Sequence, residues 1–203
     1  MSEVTGSELV GYFGFGSLVN RETLRTSYVD HFPAQLSGWR RHWQVRPAEQ
    51  TITDPKDVVL LSIHRDESCQ LNGVIVIDLA ANLPLVDERE AGYSRVLLSP
   101  SMLNVPEGIE LPNQVYVYVA NPTDRLDAKQ GVLLQSYLDA VFKGYISLFE
   151  NEGLEHFVKT TTGFEREIIA DRQNPIYPRS VELTPQEAER FDQALMEAGV
   201  RFP

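Results

Sequence analysis

Along this chain the hydrophobic positions change period near residue 120. Before it they follow strand patterns: Leu9–Phe13 is a short apolar run, and Ala34–Val45 alternates, with Leu36, Trp43 and Val45 among its apolar positions. Asp57–Ile63, rich in Val and Leu, predicts another strand, and Leu71–Ile77 is almost wholly apolar, the pattern of a strand covered on both faces. Tyr93–Leu98 reads as an extended segment. Val115–Val119 alternates β-branched and aromatic residues, and the β region is expected to end there. After it the period is helical. Leu133–Phe142 opens a long amphipathic helix, Leu154–Lys159 begins or continues another, and Thr184-Pro185-Gln186-Glu187 is a capping box opening a last helix that Gly199 closes.

Shorter signals fill the gaps. Asn20 is placed to cap a short polar helix, Arg21–Arg25, and an acidic helix is expected from Leu83 or Pro84 through Glu90, stopped by Gly92. The stretch from Asp171 to Arg179 is too proline-rich for helix and predicts an extended lid or linker. Strands first and helices afterwards define an α+β class. The expected form is a small mixed β-barrel of about five to six strands with flanking helices and a helical C-terminal region. A chain of 203 residues fits a single domain, 1–203, with a core barrel over about 9–150 and a helical extension over about 151–203.

Composition narrows the partners. A net charge of -11 without any Lys/Arg cluster argues against nucleic acid and anionic membrane surfaces, and no run of about 18 apolar residues is present to span a bilayer. A small molecule or another protein fits better. If Val115–Val119 lies at a sheet edge, it offers a route to a homodimer. The single cysteine, Cys69, rules out an internal disulfide, and the first residues have neither a basic nor an apolar leader, which suits the cytoplasm. Cys69 stands beside Glu67, whose charge would raise a thiol pKa, so it reads as non-catalytic. His31, His42, His64 and His156 lack ligand spacing, so no metal site is expected.

Two stretches carry chemistry. Gly11–Asn20 begins as a strand and breaks into alternating glycines; positive φ at Gly14 and Gly16 would let the backbone approach a ligand and leave the N–H groups of Gly16, Ser17 and Leu18 for an anion. The same glycines also suit an ordinary turn. In Val86–Tyr93, helical spacing puts Asp87 and Glu90 on one face and Glu88 elsewhere. That pattern fits a solvated acidic face with Arg89 as counter-charge, or a functional acid if one of the three is buried.

Phe13-Gly14-Phe15-Gly16-Ser17-Leu18 resembles the Tyr-Gly-Ser-Leu turn of γ-glutamylcyclotransferase-like proteins, and Val86–Tyr93 resembles their Leu-Asp-x-x-Glu-Gly segment. Leu36–Arg41 and Val117–Val119 look like two of that family's strands, so the resemblance covers about residues 10 to 145. Phe15 stands where the family usually has tyrosine, and its Pro-Ser-x-x-Tyr appears only as Leu133-Leu134-Gln135-Ser136-Tyr137.

The resemblance implies an enzyme acting on a small γ-glutamyl compound: the α-amine attacks the side-chain carbonyl, 5-oxoproline forms and the attached amine, amino acid or peptide leaves, without metal, ATP or cofactor. Glu90 takes the place of the catalytic glutamate. Phe15, Gly16, Ser17 and Leu18 would bind the substrate, with Tyr137 touching it or serving only as a helix tyrosine. One carboxylate can take a proton from the amine and return it to the leaving nitrogen. Such a base is expected to be partly buried, with its pKa raised. Arg40 and Arg41 alternate on a strand, so only one can face inward, and both are left off the catalytic set. Tyr177 and Arg179 are expected in a surface strap, though they could also close the pocket and recognise the leaving portion. The alternatives are a binding or scaffold protein that keeps the pocket without turnover, and a hydrolase with Ser17 as nucleophile, which has neither the Gly-x-Ser-x-Gly elbow nor a histidine placed as base.

Overall fold

The structure, a computed structural model, describes residues 8–24, 27–45, 58–122 and 131–203. Its main sheet is built on a long ribbon. Strands β2 (Asp30–Gln44) and β3 (Leu60–Leu79) run antiparallel from Gln44↔Leu60 to Asp30↔Ile77. β1 (Leu9–Gly14) pairs antiparallel with the end of β3 and parallel with β6 (Val115–Ala120), which carries antiparallel β4 (Tyr93–Leu97) on its other side. The far side of β2 receives β5 (Leu103–Asn104) and, in parallel, β8 (Thr161–Thr162). A second, two-stranded sheet pairs β7 (Val132–Leu134) with β9 (Glu167–Ile169).

The α+β class is observed, but among the described residues the sheet does not close into a barrel. Its order is β4-β6-β1-β3-β2-β5 with β8 beside β2, and the two ends do not pair. A two-residue β5 offers too little backbone to complete a barrel.

Leu60–Ile63 and Leu71–Ile77 belong to one strand, because the polar residues between them form a wide bulge: Trp39↔Arg65 is followed by Ser37↔Gln70, across Gly38 at φ 81. Asp57 lies outside the described residues, as does Arg25, and the polar helix expected after Asn20 is a 3₁₀ turn, Arg21–Thr23. Its cap is as expected, with the Asn20 side chain accepting from the Glu22 N–H. Val115–Val119 is an interior strand, which removes the edge-pairing route to a dimer. Short strands continue after residue 120, where none was expected.

Helix α1 (Leu83–Arg89) follows β3, α2 (Gln135–Lys159) lies against the sheet, and α3 (Pro185–Glu197) packs on α2. α2 is broken at Glu150 (φ 52, ψ -144), so the two expected helices are its two arms. Its inward residues Leu138, Val141, Phe142 and Tyr145 are buried with Phe157 of the second arm, and the Phe142 and Phe191 rings stand 5.5 Å apart. α3 opens on the expected capping box, and Gly199 follows at φ 92. Among the described residues no helix is long and apolar enough to cross a membrane.

α2 approaches the glycine turn backbone to backbone. A Cβ on Gly144 would stand 2.7 Å from the Asn20 nitrogen, and the Asn20 amide donates to the Ala140 carbonyl at 2.8 Å. Neither backbone can yield cheaply. Gly144→Ala is therefore expected to destabilise the fold by about 1–3 kcal/mol, measured by urea unfolding; an unchanged midpoint would show that the two segments separate freely.

Candidate functional site

The glycine turn is held from behind. Arg41 is fully buried on β2, in phase with Trp39, Trp43 and Val45, and its Nε donates to the Phe15 carbonyl at 3.0 Å. Its other nitrogens reach the Thr160 hydroxyl at 2.7 Å, the Asn72 carbonyl and the Tyr145 hydroxyl. The guanidinium carbon lies 5.1 Å from the centre of the Tyr145 ring and 4.7 Å from that of Phe157. Burial pulls Arg41 below its ordinary pKa, while it pushes the Tyr145 hydroxyl up to about 12. Arg40 faces the other way and pairs with Asp66 at 2.5 Å. As expected for the pair, one faces in.

The planar trans peptide then sets the direction of the N–H groups in the turn. A carbonyl and the next N–H point in opposite directions, so aiming the Phe15 carbonyl at Arg41 turns the Gly16 N–H away from it. The Ser17 carbonyl is likewise taken by the Thr23 hydroxyl at 2.6 Å and the Asn20 N–H at 3.1 Å, which turns the Leu18 N–H outward. Among the described residues neither N–H has an acceptor. The Ser17 N–H bonds to Tyr137. The positive φ expected of Gly14 and Gly16 is absent; glycine is required for space. A Cβ would meet the Leu18 Cβ at 2.6 Å in the first case and the Tyr137 hydroxyl at 2.7 Å in the second.

Glu90 is the C-cap of α1, with φ -94 and ψ 32, so its side chain leaves the helix face instead of following Asp87. Asp87 turns to solvent and takes Arg95 at 3.0 Å and the Tyr118 hydroxyl at 2.7 Å. Gly92 at φ 96 reverses the chain, and the Tyr93 hydroxyl donates to the Leu61 carbonyl at 2.8 Å. The Glu90 side chain is 17% exposed, and Arg89, 12% exposed, donates to it through Nε at 3.0 Å. Arg89 also reaches the Thr23 carbonyl at 3.1 Å, so it is an inward group instead of a solvated counter-charge. Burial lifts the Glu90 pKa above its ordinary value against the pull of Arg89 and Arg179.

Phe15, Gly16, Ser17, Leu18, Glu90 and Tyr137 line one recess of about 40 Å³ together with Leu61, Tyr93 and Tyr118. Through Ser17, Leu61, Glu90, Tyr93 and Tyr137 it shares a wall with an outer chamber of about 190 Å³, which Trp43, Arg89, Tyr177 and Arg179 also line. Tyr137 separates the two; its ring meets those of Trp43 at 6.0 Å and Tyr177 at 5.1 Å, and burial holds its hydroxyl well above the ordinary pKa.

The outer wall is a fastened strap. Asp171 accepts from the Ser136 N–H and the Ile176 N–H, both at 2.9 Å, and from the Ser136 hydroxyl. Arg172 clasps Asp139 and Asp192, with nitrogens 2.7–2.9 Å from their oxygens. Tyr177 and Arg179 thus stand in the chamber wall, the pocket-side position left open for them beside the surface strap. Sequence reasoning missed Tyr93, Tyr118, Trp43, Arg89 and Arg41. The buried odd positions from Trp39 to Val45 were the available signal for Arg41.

No family model matches the chain, and no curated protein does. Solved structures do. A structure named Gamma-glutamyl cyclotransferase superposes with a TM-score of 0.56 at 14% identity, covering 92% of this chain and 99% of its own. The uncharacterized protein loc79017 from Homo sapiens gives the same TM-score and identity over 91% of this chain and 99% of its own. YkqA from Bacillus subtilis gives 0.54 at 13% identity, over 74% of this chain and 53% of its own. The chain shares the fold of these proteins, so the resemblance drawn from its two short motifs holds at the level of fold.

A carboxylate with a raised folded pKa prefers to be neutral, and this sets a sign. Below the ordinary value of 4.5 Glu90 is protonated folded or unfolded; between 4.5 and its raised folded pKa the unfolded chain ionises while the native state keeps the proton, so stability falls across that window and levels off above it. Glu90→Gln is therefore expected to melt higher than wild type at neutral pH, the gap closing as pH falls toward 4.5. A variant less stable at neutral pH would show that Glu90 is a net stabilising anion.

Proposed function

We propose that the protein is a cyclotransferase acting on a γ-glutamyl amide, with Glu90 as general acid and base. The observation that carries this reading is a buried carboxylate lining the same recess as the glycine turn, whose Gly16 and Leu18 N–H groups have no acceptor among the described residues. The common fold with a Gamma-glutamyl cyclotransferase structure supports it.

The chemistry needs no external group. The substrate α-carboxylate takes the Gly16 and Leu18 N–H groups, which holds the glutamyl chain in a ring-forming pose. Fixing that pose removes much of the entropic cost of closing the ring. Glu90 removes a proton from the α-amine, whose nitrogen then bonds to the γ-carbonyl carbon. The C–N bond to the leaving group breaks, and its nitrogen takes the proton back from Glu90. The products are 5-oxoproline and a free amine, and Glu90 ends as it began. The phenol groups of Tyr93 and Tyr137 flank the reacting carbonyl, and the apolar walls keep the base from being levelled by water.

The test is release of 5-oxoproline from glutathione, γ-glutamyl dipeptides and γ-glutamylamines. Glu90→Gln is expected to lose about 10²-fold or more in turnover, the usual scale of a general base, while Ser17→Ala changes it less than about tenfold, since the turn contributes backbone groups. The reverse ranking would make Ser17 a nucleophile. Because the working base is the ionised form, kcat/KM should fall as pH drops through the Glu90 pKa, with a midpoint above 4.5. A folded wild type that releases no 5-oxoproline from any of these substrates would end the reading.

A further inference from the structure

Several buried donors on residues around the outer chamber have no partner among the described residues. Buried polar atoms without a partner include Trp43 Nε1, Arg89 Nη2, Arg179 Nε and the Tyr177 hydroxyl, and all four residues line this chamber. Leaving such donors unpaired costs free energy, and native proteins concentrate the exceptions where a ligand supplies the acceptor. Among the described residues the only charged groups lining the recess and chamber are Arg89, Glu90 and Arg179. Glu90 occupies one Arg89 nitrogen, and with two guanidiniums to one carboxylate the chamber carries a surplus of positive charge inside a chain of net charge -11. That local reversal suits a small planar anion.

We propose that Arg179, presented by the strap and assisted by Arg89 and Trp43, reads a carboxylate on the leaving portion of the substrate. The preferred substrates are then γ-glutamyl amino acids or peptides with a free carboxylate, and γ-glutamylamines are poor. This rests on the cyclotransferase reading above for the position of the glutamyl group in the recess. The strap makes the contact specific: Asp171 and Arg172 tie it to the first turns of α2, which leaves Arg179 little freedom to follow a ligand of another shape. A guanidinium fork and an indole N–H match the two oxygens of a carboxylate, while a protonated or neutral amine offers them no acceptor.

The experiment compares γ-glutamyl-alanine with γ-glutamyl-alaninamide, which differ only in that charge. Two readouts are taken: 5-oxoproline release by wild type, and calorimetric binding to the Glu90→Gln protein, in which turnover is blocked. Wild type is expected to favour the free carboxylate by roughly ten- to a hundredfold in kcat/KM, carried mainly by KM. In Arg179→Gln the ratio should fall toward one, and Arg179→Lys should restore part of it. A wild type that treats the two alike, or a ratio that survives in Arg179→Gln, overturns the proposal, as does absence of binding to both. Selective binding that depends on Arg179 without any 5-oxoproline would sustain the anion site while ending the cyclotransferase reading.

Discussion

A buried guanidinium is the constraint on which the site depends. Among the described residues Arg41 is met by carbonyls, hydroxyls and aromatic faces. A buried cation is tolerated only when its donors are used and its charge is spread over oriented dipoles. Meeting that condition ties the glycine turn, the ribbon at Asn72, both arms of α2 and Thr160 to a single point. The result reaches the opposite face of the turn, where a planar trans peptide converts a fixed carbonyl into an aimed N–H.

The acid across the recess illustrates the opposite bargain. Glu90 is placed where its charge is disfavoured, next to an arginine that moderates the penalty without cancelling it. An ordinary surface glutamate would be more comfortable and a weaker base. Stability at neutral pH and proton affinity therefore pull in different directions at this one residue.

Much of the fold was legible because its strands and helices follow simple periods. The β1 run, the alternation of Val115–Val119 and the Thr184 capping box all form where the pattern puts them. What was not legible depended on pairing. The stretch Asp66–Cys69, within a polar run that looked like a break between strands, is a bulge, because β2 continues to pair on both sides of it. Closure of the sheet depends on the length of β5, which no local pattern encodes. In the site, Glu90, Phe15 to Leu18 and Tyr137 line one recess. The outer chamber was harder to read: Trp43 looked like a core strand residue and Tyr177 like part of a surface strap. Only tertiary contacts through Asp171 and Arg172 bring that strap to the cavity.

The strap also divides the labour of the chain. The acid, the turn and the tyrosine that separates the two cavities all come from residues before 140, whereas Tyr177 and Arg179 arrive on a separate segment held by two side-chain clasps. Substitutions at positions 173–178 can reshape the mouth of the cavity without touching the buried guanidinium, whereas Arg179 also acts on the Glu90 carboxyl. Such an arrangement makes the protein evolvable: the entrance can vary while the recess behind it keeps its form.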